Sequence, residues 1–333
     1  MRIVYLVRRK QPHYHSIERV FREVSYHAAG FCDVQLVKMP RVGFSIVNLI
    51  YVFFLRFRYN RTTVFHITGD VHYLALVLPA RRTTLTIHDC VFLKTYSGFK
   101  KYILKKMYLD WPLHYLHHAT VISTKTRSEI DSYCGEVRAK IHVVPNPLMP
   151  EFTYQPHHFN SEHPRILFVG TNTNKNFARA VEALKDRSCV FVVLGALNDE
   201  HITLLNNAEV VYENHFSLSD AEVADLYASV DLLLFPSLYE GFGLPVIEAF
   251  KTGRPVVTSN ISPMAEIAEG AAEFVDPYSV SSIEEGLYRI ISDQDRRTNL
   301  VRKGVAVSQK YDGLEVSRRY MAVYRELLKG ILA

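Results

Sequence analysis

Residues 237–248 read Ser237-Leu-Tyr-Glu-Gly-Phe-Gly-Leu-Pro-Val-Ile-Glu248, and the fold follows from what surrounds them. The preceding run, VDLLLFP at 230–236, has the length and composition of a strand buried on both faces. Beyond the glycines, Val246, Ile247 and Phe250 recur at helical spacing until Gly253 and Pro255 supply a stop. The order is strand, glycine turn, helix. Glu240 falls in the turn and Glu248 in the helix, so both acids can flank a ligand held at the helix N-terminus. The amides of Gly241, Phe242, Gly243 and Leu244 point into that space, where the helix dipole favours an anion such as a diphosphate.

Outward from this turn, strand and helix patterns alternate along the chain, which predicts parallel sheets with crossover helices. In the first half RIVYLV, VQLVKM, TVFHIT, RTTLTIHD, ATVIST and KIHVVPNPL read as strands, with helices over 15–28, 46–55, 101–118 and 126–133. The Pro145-Asn146-Pro147 breaker looks like an interdomain linker. The scheme then restarts with PRILFVG and runs through CVFVVLG, AEVVYE, VDLLLFP, PVVTS and AEFVD. The expected class is α/β, two Rossmann-like doubly wound domains over 1–148 and 149–317, with ligand at the strand C-terminal ends. The second begins LFVGTNTNKNF at 167–177. A glycine after a buried strand, a polar loop with Lys175 and then a helix form a phosphate-binding geometry.

The string EGFGLPVIEA, with seven residues between its two glutamates, resembles the signature of the retaining GT-B glycosyltransferases of glycosyltransferase family 4. That resemblance implies two domains facing a central cleft, with the last helix, 318–333, crossing back onto the first. It implies a nucleotide-diphosphate sugar as donor, such as a UDP- or GDP-sugar, and no cofactor. Glu248 would hold the ribose hydroxyls, a task suited to a carboxylate that accepts two hydrogen bonds. Glu240 and the amides of Gly241, Phe242 and Gly243 would bind the sugar. Lys175, in the loop opened by Gly170 and Thr171, would meet the leaving diphosphate with the helix terminus, making a metal unnecessary. His88, at the end of LTIHDC, would meet the donor sugar, while Asp89 either shares that role or caps the next turn.

Two departures stand out: Thr171 replaces a frequent arginine, and VRRKQPHYHSIERV replaces a Gly-Gly loop after the first strand. Arg8, Arg9 and Lys10 there either bind an acceptor phosphate or form a solvated basic loop. The readings that compete with transfer are a sugar-nucleotide epimerase and a non-catalytic protein that binds a sugar nucleotide or a partner.

A net charge of +5 with scattered Lys and Arg does not call for nucleic acid. Cys32, Cys90, Cys134 and Cys189 are too dispersed for a metal knuckle and read as reduced thiols of a cytoplasmic protein. The most apolar segment, IVNLIYVFFL at 46–55, is too short to span a bilayer and is expected as a buried helix. Its flank Arg56-Phe-Arg58-Tyr-Asn-Arg61 sustains a second expectation: peripheral contact with anionic lipid at the inner membrane face, where a glycan or lipid-linked acceptor of cell-envelope polysaccharide or lipopolysaccharide synthesis would be met. Asp293-Gln-Asp295 and the trio His114, His117 and His118 have metal-like spacing without a supporting ligand set, so no metal site is expected.

Overall fold

A computed structural model describes residues 1–9 and 16–332. Lys10, and with it part of the basic loop, lies outside the described residues. The chain divides into two compact units, residues 1–149 with the chain from Asp312 onward, and Pro150–Tyr311.

The first unit carries six strands, β1 (Arg2–Val7), β2 (Asp33–Lys38), β3 (Thr63–Ile67), β4 (Thr83–Ile87), β5 (His118–Val121) and β6 (Lys140–Val143). They pair in parallel in the order β2-β1-β3-β4-β5-β6. β3 and β4 are buried at every position, as strands covered on both faces must be. The final helix, Gly313–Leu332, lays Val316, Tyr320 and Tyr324 into a core shared with Tyr5 and Phe21. It joins this unit earlier than the boundary expected at 318. A Cβ on Gly313 would collide with Glu23 Oε1, and Ser317 Oγ donates to Val24 O, so the helix touches its neighbour Ser16–Ala28 from its first turn.

The second unit has β7 (Arg165–Val169), β8 (Val190–Leu194), β9 (Tyr212–His215), β10 (Leu232–Phe235), β11 (Val256–Ser259) and β12 (Glu273–Val275). All pairs are parallel and the order is β12-β11-β10-β7-β8-β9. This is the doubly wound Rossmann arrangement, whose crossovers leave β7 and β10 in opposite directions. A crevice must open outside the carboxyl ends of those two neighbours, and both glycine turns lie there.

Two expectations change. The helix predicted over 101–118 runs without a break over 98–115, with a π-helical stretch at Lys106–Asp110, and ends earlier than expected, since His118 already belongs to β5. The helix Ile46–Leu55 forms where expected but is not buried. Asn48, Val52 and Leu55 are buried and Leu49 is partly covered, while the rest is exposed, because a helix beside a sheet hides one face and this one is apolar all round. Asn48 fixes that face by bonding both backbone groups of Arg41 and the Tyr73 hydroxyl.

Candidate functional site

The two turns at the ends of β7 and β10 are bound to each other. Gly170 follows β7 with φ +89, open to glycine and strained for other residues, and a Cβ there would come within 2.8 Å of Lys175 Cε. Lys175 therefore folds back across the glycine. Its Nζ reaches Glu240 Oε1 at 2.7 Å and lies 4.7 Å from the centre of the Phe235 ring. Both partners are mostly covered, at 15% and 13% exposure. Thr171 instead bonds Ala196 O through its hydroxyl.

Asparagines that drew no attention in the sequence hold these turns together. Asn174 Nδ2 donates to Tyr239 O at 2.8 Å, and its own carbonyl accepts from Leu238 N. Asn176 is buried in the left-handed region at φ 67, a conformation Asn tolerates better than most residues. Its Nδ2 donates to Pro236 O and Pro277 O, and its Oδ1 accepts from Arg179. One side chain thus fastens the loops after β7, β10 and β12. The alternating Asn of NTNKN was the available signal.

The helix Leu244–Thr252 begins after Gly243, which has φ +106 and gives no side-chain cap. A Cβ there would press 2.9 Å from Ile267 Cδ1. Pro245 lies in the first turn, where a missing N–H breaks no helical bond. The helix terminus, which has no side-chain cap, follows closely on Glu240 and its partner Lys175, and its backbone N–H groups suit a phosphate. Phe242 is buried edge-on to Tyr311, so its ring anchors the turn and leaves only its backbone to a ligand. Glu248 Oε2 accepts from the Tyr227 hydroxyl at 2.8 Å. Burial first, then the carboxylate, push the Tyr227 hydroxyl well above its ordinary pKa, so it stays protonated and donates. Tyr227 was not foreseen, since it comes from the helix Asp220–Ser229 preceding β10.

In the first unit His88 follows β4, half-buried, with Nε2 against Thr68 O at 2.9 Å. That carbonyl can only accept, which places the proton on Nε2 and leaves Nδ1 as an acceptor. Burial lowers the His88 pKa, keeping the ring neutral. Asp89 Oδ1 accepts from Val91 N and so closes the following turn. Arg8 is neither solvated nor open, being paired with Glu18 at 2.7 Å and with Asp70. An anion would have to displace those carboxylates. Arg9 is exposed and donates to Pro40 O.

Asp293 caps the helix Gln294–Ser308 by accepting from Arg296 N. His114, His117 and His118 diverge, to Asp110 O, Arg138 and His142 respectively. Among the described residues, His118, His142 and Glu326 form the one cluster with metal-compatible spacing. The His118 and His142 nitrogens are 2.9 Å apart, the ring centres 5.2 Å, and the planes within 17°. The rings therefore meet end to end within hydrogen-bonding distance.

Residues 151–306 match the family described as Glycosyl transferases group 1. O-antigen chain mannosyltransferase B of Escherichia coli is 31% identical over 108 residues, which are 32% of this chain and 28% of that protein. N,N'-diacetylbacillosaminyl-diphospho-undecaprenol alpha-1,3-N-acetylgalactosaminyltransferase of Campylobacter jejuni is 23% identical over 163 residues, 47% of this chain and 42% of that protein. The match thus spans less than half the length of either relative. In fold, sucrose-phosphate synthase of Thermosynechococcus elongatus superposes with a TM-score of 0.77 at 15% identity, over 99% of both chains. The chain resembles the GT-B glycosyltransferases, in sequence through its second unit and in fold along nearly its whole length.

Proposed function

We propose that the chain is a retaining glycosyltransferase that moves a sugar from a nucleoside-diphosphate donor to a glycan or lipid-linked acceptor. The observation that carries this reading is the convergence of Lys175, Glu240 and the uncapped helix terminus at the β7–β10 switch point, with Glu248 on that helix. Glu248, oriented by Tyr227, accepts the ribose hydroxyls. Glu240 and the backbone of Gly241, Phe242 and Gly243 bind the donor sugar. As the bond to the diphosphate breaks, Lys175 and the amides of Gly243 and Leu244 meet the negative charge that develops on it. The acceptor hydroxyl attacks from the face the diphosphate leaves, and the leaving oxygen takes its proton. No side chain acts as nucleophile, and the site supplies its own positive charge, so a metal is not required for this step. The part given to His88 in donor-sugar contact rests on the resemblance.

Envelope glycan synthesis is the pathway class favoured by likeness, since the Escherichia coli relative is named for the O-antigen chain and the Campylobacter relative for a diphospho-undecaprenol substrate. In this reading the enzyme works from the cytoplasmic side with peripheral contact to the membrane, and no described helix is long and apolar enough to cross one. An epimerase or a purely binding protein would use the same pocket without transfer. The test is incubation with a panel of sugar nucleotides and lipid-linked or oligosaccharide acceptors, with proton NMR of the product. A product that keeps the donor's anomeric configuration, formed equally in EDTA, supports the reading. An inverted product, activity abolished by chelator, or epimerised donor without transfer refutes it.

A further inference from the structure

Between Asp33 and Asp70 the chain carries Lys38, Arg41, Arg56, Arg58 and Arg61 and no acid. Between Asp89 and Asp110 it carries Lys94, Lys100, Lys101, Lys105 and Lys106, again with no acid. Both segments display large apolar side chains to solvent. In the first, Ile46, Phe54 and Phe57 are each 65–67% exposed, and in the second Phe99 is 78% exposed beside Tyr102 at 55%. The helix Gly98–Lys105 buries none of its residues.

The two segments adjoin. Phe44 packs on Tyr73 at 4.9 Å between ring centres, Tyr73 on Tyr108 at 6.0 Å, and Tyr108 on Phe92 at 6.2 Å. This aromatic chain joins the loop before helix Ile46–Leu55 to the residues flanking helix Gly98–Lys105. The N-terminal end of helix Ile46–Leu55 and the helix Gly98–Lys105 therefore lie on neighbouring parts of the first unit.

We infer that this region is a docking surface for an anionic lipid bilayer. Two short helices of ten and eight residues cannot span a membrane but can lie in its interface, apolar rings among the acyl chains and cations at the headgroups. The charge selects the occupant: Lys94 is paired with Glu129, and Lys105 and Lys106 with Asp110, but the exposed Arg58, Arg61 and Lys100 and the partly exposed Lys101 remain as cations that anionic headgroups match, whereas a protein partner would need acids placed to meet them. Arg56 is stacked against Phe53 and Phe57 at 4.2 and 4.7 Å, which holds one cation beside the exposed rings. This deepens the envelope-glycan reading and rests on it for its biological sense, but its test needs no turnover.

The test is co-sedimentation of the full chain with phosphatidylglycerol-containing and pure phosphatidylcholine vesicles at low and high salt, alongside Phe54→Ser/Phe57→Ser, Phe99→Ser and Arg58→Gln/Arg61→Gln. Wild type should pellet with the anionic vesicles only, and release at high salt. The ring variants should lose about tenfold in partition, and each arginine removed about fivefold. These side chains are exposed, and circular dichroism with nucleoside-diphosphate titration checks that fold and donor site survive. Wild type remaining in the supernatant at low salt, variants that partition like wild type, or a ring-dependent dimer in sedimentation velocity without vesicle binding would overturn the inference. Vesicle binding by a chain that transfers no sugar would leave it standing and remove the transferase reading instead.

Discussion

Lys175 Nζ and Glu240 Oε1 lie 2.7 Å apart, so the cation assigned to the diphosphate and the acid assigned to the sugar are partners of one another. Each keeps the other's charge compensated inside a mostly covered turn. A donor that takes hold of both must share or replace this pair, which links phosphate binding to the position of Glu240.

Lys175→Met and Glu240→Gln should each destabilise the fold by about 1–3 kcal/mol, because each leaves a covered charge or polar group without its partner. The double substitution should cost less than the sum of the singles. Urea unfolding of the four proteins completes the cycle. For transfer, Lys175→Met should act mainly on kcat. Strict additivity, or unchanged turnover, would remove the pair from the account.

Tyr227→Phe takes away the hydroxyl that orients Glu248. Nucleotide binding should weaken by about 1 kcal/mol, against about 2–3 kcal/mol for Glu248→Ala, which removes a charge-assisted acceptor altogether. The effect of Tyr227→Phe should appear in KM and be nearly absent in Glu248→Ala. If the two effects simply add, Tyr227 does not work through Glu248.

Asn176→Ala should be among the most damaging substitutions in the second unit. It forces a non-glycine, non-asparagine residue to hold φ 67 and frees two buried carbonyls from their donor. A loss of about 2–4 kcal/mol is expected, with Asn176→Gly recovering the backbone part. Chemical denaturation of all three proteins measures it.

His66 is fully buried between Tyr324 and Thr86, and burial, assisted by nearby His88, drops its pKa from 6.5 to about 3. The neutral form is the one the fold accepts. Its contribution is therefore complete above pH 6.5 and is lost as pH falls toward 3, while the unfolded chain gains a proton the folded one refuses. His72 and His88 are lowered in the same direction and steepen the slope. Stability should decline below pH 6.5 by up to about 1.4 kcal/mol per pH unit from His66, with His72 and His88 adding in the same direction. Denaturant midpoints at pH 7.5, 6 and 5 would show it, and a flat profile would contradict it.

The strand–turn–helix around Glu240 was legible because a doubly buried strand, a glycine turn and a helix stop follow one another in fixed order. The alternation along the chain likewise announced two parallel sheets. What was not legible depends on contacts between distant segments. Asn176 reaches carbonyls of the β10 and β12 loops, Tyr227 approaches Glu248 from another helix, and Arg8 finds Glu18 and Asp70 across two loops. Periodicity also misjudged residues 46–55. An apolar run shows that a helix has hydrophobic faces, and only the packed structure shows how many of them are covered.

The most direct test of the central claim is calorimetric titration of the whole chain with UDP, GDP and the other nucleoside diphosphates, repeated with Glu248→Ala. The site at the β7–β10 switch point predicts saturable one-to-one binding of at least one of them, weakened about tenfold or more by the substitution. Failure of every nucleoside diphosphate to bind the folded wild type, or equal binding by Glu248→Ala, would contradict it.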